Sequence, residues 1–129
     1  MILPQELRLG NLVEYEKTTH VITGIITDKI LSRWIKQPVT EHDYACHFSE
    51  ISEIPLTEEW LVKMGSEIKF HPAGDGSYYS YTINGVQITW GGSGEYRFVF
   101  RNNICSIKYV HQLQNLFRCL CGKELEIKL

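Results

Sequence analysis

The sequence predicts an α+β fold: an N-terminal SH3-like small β-barrel or bent sheet, a short linking helix, and a C-terminal antiparallel sheet covered by one helix. Three observations carry this. The first 56 residues hold several short β-branched or alternating runs and no helical period. Asn84-Gly85, the preferred pair for a two-residue hairpin turn, sits between alternating apolar residues. Val110, Leu113, Leu116, Phe117 and Leu120 fall within a stripe of ~120° at helical spacing.

The elements follow in order. Leu7, Leu9, Val13 and Tyr15 alternate about the turn-like Gly10-Asn11. The run Val21–Thr27 is β-branched apart from Gly24, which marks a bulge or a close approach of backbone. Ile30–Ile35 and Tyr44–Phe48 read as further strands, the latter with Tyr44, Cys46 and Phe48 on one face, and the polar stretch Lys36–Asp43 reads as a loop. That density of short strands is the pattern of a small barrel. A helix then starts at Thr57 as N-cap, with Glu58 and Glu59 complementing its dipole and Leu56 and Leu61 spaced as a hydrophobic staple. Gly65 ends it, so the linking helix is expected over Glu58–Met64.

Pairing outward from Asn84-Gly85 sets Ile83 opposite Val86, Tyr81 opposite Ile88 and Tyr79 opposite Trp90 on one face, with Ser80, Thr82, Gln87 and Thr89 on the other. Turn chemistry and alternation fix the same register independently. Tyr96, Phe98 and Phe100 form a third strand, Ile104–Tyr109 a fourth, and Glu67–Phe70 an edge. The final helix spans Val110–Cys121 and stops at Gly122, and the alternating tail Leu125, Ile127, Leu129 offers one more strand. Two subdomains are expected, 1–56 and 57–129, or a single domain containing both. The aromatic face of the second sheet reads as core beneath the last helix, in preference to a base-stacking platform.

Composition narrows the function. The chain has 129 residues, 43% hydrophobic and 22% charged, enough for a real core. A net charge of −2 with no run of Lys or Arg argues against an electrostatic grip on nucleic acid. No stretch reaches the ~18 apolar residues of a membrane span, and the N-terminus lacks the basic and apolar regions of a signal peptide. The four cysteines are therefore expected as free thiols in a reducing cytoplasm.

Candidate chemistry is sparse. His42, Asp43, Cys46 and His47 resemble a metal cluster, but a fourth ligand at a zinc-like spacing is missing, and neighbours on a strand point to opposite faces. Cys119 and Cys121 are one residue too close for a redox pair and sit at the wrong end of their helix. Gly74-Asp75-Gly76 and Gly91-Gly92-Ser93-Gly94 join strands to strands, unlike phosphate loops, although such tips are able to close over a ligand. The polar row His111, Gln114, Asn115 and Arg118 lies opposite the apolar stripe, as a solvated face or a docking surface. No metal and no cofactor are expected.

Three blocks are familiar: Glu6-Leu7-Arg8-Leu9-Gly10-Asn11-Leu12-Val13, Ile54-Pro55-Leu56-Thr57-Glu58-Glu59-Trp60-Leu61, and Lys108-Tyr109-Val110-His111-Gln112-Leu113-Gln114-Asn115-Leu116-Phe117 followed by Gly122 and Glu124-Leu125. Together they resemble a family of small proteins common in gut-type bacteria, their phages and mobile elements. The resemblance implies a genomic setting and brings no known activity. With no nucleophile, metal or phosphate signature, the sequence favours a non-catalytic binding or adaptor protein of mobile-element or phage accessory type, recognising a protein partner. One alternative binds or sequesters a small anionic, nucleotide-like ligand through His71, Tyr78, Arg97 and Arg101. Another is a small hydrolase using His111 or the His42/His47 pair.

Overall fold

The computed structural model describes residues 2, 4–26, 29–35, 43–72, 77–90, 95–100 and 103–128. The chain is α+β, mostly β, and divides into two units: Met1–Pro55 with Tyr109–Glu124, and Leu56–Lys108 with Leu125–Leu129.

The first unit is a half-barrel of five antiparallel strands: β1 (Leu12–Tyr15), β2 (Thr18–Ile26), β3 (Lys29–Trp34), β4 (Tyr44–His47) and β5 (Ile51–Ser52). Their order is β4-β3-β2-β1-β5. A 3-10 turn at Phe48–Glu50 follows β4, and β5 then pairs with β1, Tyr15 opposite Ile51. Glu16 and Lys17 turn β1 into β2 with positive φ of 49° and 64°, the twist that suits a tight hairpin. Both readings of Gly24 hold. The β2–β3 register slips between Ile22 and Gly24, and a Cβ on Gly24 would meet Leu31 Cδ1 at 3.0 Å. Ile2, Leu7, Val13, Ile22, Ile30, Cys46 and Ile51 are buried together, with Tyr15 and Phe48 packed against them.

Helix α2 (Val110–Cys121) completes this unit with the bounds read from its periodicity. Pro55 bridges Tyr109, and the Val110 N–H donates to the Ile54 carbonyl at 2.9 Å. Gly122, left-handed at φ 69°, ends the helix. The sequence places α2 over the C-terminal sheet, but α2 groups with the half-barrel and packs on β1. Its buried sector differs too: Val110, His111, Leu113, Gln114 and Phe117 are buried, while Leu120 is exposed. The sector is rotated from the apolar stripe toward the polar row, so two polar side chains enter the interior.

The second unit holds α1 (Glu58–Lys63) and five antiparallel strands, β6 (Glu67–His71), β7 (Tyr78–Ile83), β8 (Val86–Trp90), β9 (Tyr96–Phe100) and β10 (Asn103–Ile107). Each strand pairs with the next. The hairpin register is the one predicted: Ile83 opposite Val86, Tyr81 opposite Ile88, Tyr79 opposite Trp90. Asn84 and Gly85 carry the positive φ values, 47° and 83°, that a type I′ turn demands. Tyr81, Ile83, Val86, Ile88, Phe98 and Ile107 are buried, as are Leu56, Leu61 and Met64 about α1. Thr57 precedes α1 in extended conformation, but its hydroxyl makes no cap bond. No strand forms from the tail among the described residues; instead Leu125 is buried and the Lys128 N–H donates to the Lys63 carbonyl at 2.7 Å.

Candidate binding pockets

The polar row of α2 is largely a structural device. Gln114, 3% exposed, accepts from the Leu12 N–H at 2.8 Å and donates to the Gly10 carbonyl at 3.1 Å. Asn115 donates to the Glu6 carbonyl at 2.7 Å and accepts from the Asn11 side-chain amide at 2.8 Å. Asn11 in turn accepts from the Arg8 N–H, and the Arg8 guanidinium donates to the Gln114 carbonyl and to Glu124. Arg118 is exposed and donates to the Gly122 carbonyl at 2.6 Å. The first and last of the three familiar blocks thus meet in one amide network, which engages the side chains of Arg8, Asn11, Gln114 and Asn115.

His111 is 1% exposed, and among the described residues neither ring nitrogen has a hydrogen-bond partner. Tyr109 stacks beside it, centroids 6.0 Å apart. Burial lowers its pKa from the ordinary histidine value, against the opposing pull of Glu6 and Glu53. A ring sealed in this way cannot reach a substrate.

Other candidates separate. His42, Arg101 and both Gly-rich loops, 74–76 and 91–94, lie outside the described residues. Among the described residues no three His, Cys, Asp or Glu side chains are grouped to hold a metal. Cys46 is buried and its thiol pKa is raised by that burial; Cys105 and Cys119 are exposed free thiols. His71 stacks on Tyr78 at 4.5 Å and bonds Ser80 at 2.8 Å. Arg97 shares that sheet face, in the row Lys69, Ser80, Thr89, Arg97 across four strands.

Two aromatic pockets stand out, one in each unit. The half-barrel pocket, about 220 Å³, is lined by Tyr15, Glu16, Thr18, His20, Trp34 and Tyr44. Strand register assembles it: His20 pairs with Trp34 across β2–β3, and Tyr44 lies opposite Ser32 across β3–β4. Trp34 and Tyr44 are 39% and 48% exposed. Tyr15, Tyr44 and His20 form a ring cluster with centroids 5.2 to 6.3 Å apart. Burial, then Glu16 and Glu50, hold the Tyr15 phenol above its ordinary pKa, and Glu16 is the acidic residue of the lining.

The histidine in this pocket is committed to structure. The Thr18 hydroxyl donates to the Tyr15 carbonyl at 2.9 Å, which leaves its oxygen to accept from His20 Nε2–H at 3.0 Å. His20 Nδ1 then accepts from the Ser32 hydroxyl at 3.1 Å. Burial lowers the His20 pKa, keeping the ring neutral. A Ser–His pair invites a nucleophilic reading, but Ser32 is 0% exposed, and no substrate reaches its oxygen.

The second pocket, about 230 Å³, is lined by Glu58, Tyr79, Tyr81, Trp90 and Tyr96. The sequence placed all of these rings in a covered core. Tyr81 is buried, but Tyr79 is 38% exposed and Trp90 and Tyr96 are half-buried. Burial, then Tyr96 and Glu58, push the Tyr81 phenol up to about 12. Exposed rings at the strand ends nearest α1 carry no sequence signal that separates them from core rings one pair further along. The same is true of Trp34 and Tyr44. No protein-family model matches the chain, and neither curated proteins nor solved structures give a match.

Proposed function

We propose that this protein is a non-catalytic binding module that recognises an extended segment of a protein partner through the half-barrel pocket. The observation that carries the reading is the convergence of Tyr15, Trp34 and Tyr44 with Glu16 on one cavity. A five-stranded antiparallel meander closed by a 3-10 turn and a fifth strand back on β1 is the layout of SH3-like barrels, and such barrels read extended segments on aromatic-lined grooves. Exposed Trp and Tyr are the residues that most often anchor such contacts. The size is in keeping with this reading: a groove of about 220 Å³ lies below the ~300 Å³ at which enclosed drug-sized sites begin and suits a single side chain. Glu16 selects a basic residue beside the apolar one. The mobile-element resemblance makes a host or phage protein the natural partner.

Selection from a random peptide library tests this. Expected are peptides pairing proline or another apolar residue with Arg or Lys, and binding weakened at least ~30-fold by Trp34→Ala, a hot-spot loss of about 2 kcal/mol. Failure to enrich any such peptide, or enriched peptides that bind Trp34→Ala and Tyr44→Ala unchanged, would sink the reading.

A further inference from the structure

The pocket of the second unit has a different make-up and supports a separate conclusion. Register sets Phe70 opposite Tyr79, Tyr79 opposite Trp90 and Trp90 opposite Tyr96, so rings from four neighbouring strands form one row. Tyr79 and Trp90 lie 6.4 Å apart between centroids, and Tyr81 and Tyr96 lie 5.9 Å apart, edge to face. Glu58, the first residue of α1, is exposed and lines the same pocket as Tyr81 and Tyr96. The pocket therefore offers the negative faces of aromatic rings, phenol oxygens and a carboxylate. All three attract positive charge.

Among the described residues Glu58 has no cationic partner. The cation of the same helix, Lys63, is engaged elsewhere, 3.4 Å from Glu59 and 4.7 Å above the Trp60 ring. That arrangement shows the same chemistry at small scale, an ammonium shared between a carboxylate and an indole face.

We propose that the pocket formed by Glu58, Tyr79, Tyr81, Trp90 and Tyr96 binds a primary alkylammonium group, with Glu58 as its counter-ion and the rings of Tyr79, Trp90 and Tyr96 against its methylenes and N–H bonds. A primary ammonium fits better than a quaternary one because the carboxylate and phenol oxygens accept N–H donors that a quaternary nitrogen lacks. The cavity of about 230 Å³ suits a head group on an aliphatic stem. Two sources present that chemistry, a lysine side chain of a partner protein and a free aliphatic amine.

Titration of the ¹⁵N-labelled full chain with butylammonium chloride, at constant ionic strength, tests the proposal through the Trp90 indole N–H signal. The expected result is a saturable shift with butylammonium, none with sodium, and binding about tenfold weaker for neutral 1-pentanol, the factor expected for losing the charge-dependent contacts. Glu58→Gln, a change at an exposed position, should weaken binding about tenfold while leaving the other amide signals in place. Trp90→Phe should weaken it less, since a smaller ring remains. A lysine dipeptide blocked at both ends separates the sources: tighter binding than butylammonium indicates a protein side chain, and equal binding indicates a free amine. No saturable shift, equal binding of 1-pentanol, or unchanged binding by Glu58→Gln would overturn the proposal. The site lies in the second unit alone, so its failure leaves the half-barrel reading intact.

Discussion

The two units use the same secondary structure over apolar cores, and the half-barrel unit adds a network of buried amides. Each is a five-stranded antiparallel sheet with one helix. In the half-barrel unit, α2 is tied to residues 6–12 by side-chain amides, with Gln114 and Asn115 bonding the backbone of Glu6, Gly10 and Leu12. In the second unit, the described interior is a register of apolar pairs, Ile83 with Val86, Tyr81 with Ile88, Ile88 with Phe98. Apolar burial is non-directional and tolerates repacking, whereas a buried amide depends on both of its partners. The units should therefore fail in different ways.

The largest expected effect is in the second unit. Phe98 is 2% exposed, and Phe98→Ala should cost ~3–5 kcal/mol through lost transfer energy and a residual cavity. Urea unfolding read through backbone circular dichroism measures it. A loss below about 1 kcal/mol would mean that the sheet is not held by this row of pairs.

Next comes the amide that ties α2 to residues 10–12 beside the apolar core of the half-barrel unit. Gln114→Leu keeps most of the volume but leaves the Leu12 N–H and the Gly10 carbonyl without their side-chain partner. At ~1–3 kcal/mol for the buried Leu12 N–H, and ~1 kcal/mol for the part-buried Gly10 carbonyl, the loss should be about 2–4 kcal/mol. Gln87→Leu, on the half-buried polar face of β8, is the control and should stay within ~0.5 kcal/mol. Equal costs for the two glutamine changes would erase the contrast between the units.

That contrast also explains what was legible in the sequence. The β7–β8 hairpin was readable to the residue because its turn and its alternation are local and redundant. The bounds of α2 were readable from its stripe and Gly122. The direction of its polar row was not: His111, Gln114 and Asn115 at helical spacing look the same whether they meet water or the backbone of residues 6–12, about a hundred positions away. Within that row only Arg118 is exposed, and of the described members of the anionic-ligand set, His71, Tyr78 and Arg97, His71 and Tyr78 stack on each other. The pockets went unread for a related reason. Trp34, Tyr44, Tyr79 and Trp90 alternate like core residues, and exposure at a sheet's end depends on what tertiary structure leaves uncovered.

The smallest expected effect is on acid sensitivity, through two buried histidines of the half-barrel unit. Burial lowers the pKa of both His20 and His111, against opposing carboxylates, Glu16 for His20 and Glu6 and Glu53 for His111. The folded state therefore prefers the neutral rings, while the unfolded chain takes up protons near the ordinary value of about 6.5. Below that pH the unfolded state binds more protons, so stability is fully present above about 6.5 and is lost as pH falls toward the folded-state values, where the loss levels off. His20 has both nitrogens bonded, and among the described residues His111 has neither, so His111 is the one to replace. His111→Leu should preserve or raise Tm at pH 7.5, because it removes two unpaired buried nitrogens, and it should flatten the fall in Tm between about pH 6.5 and 5. A Tm profile as steep as that of the parent chain would mean that His111 is not what couples this fold to protons.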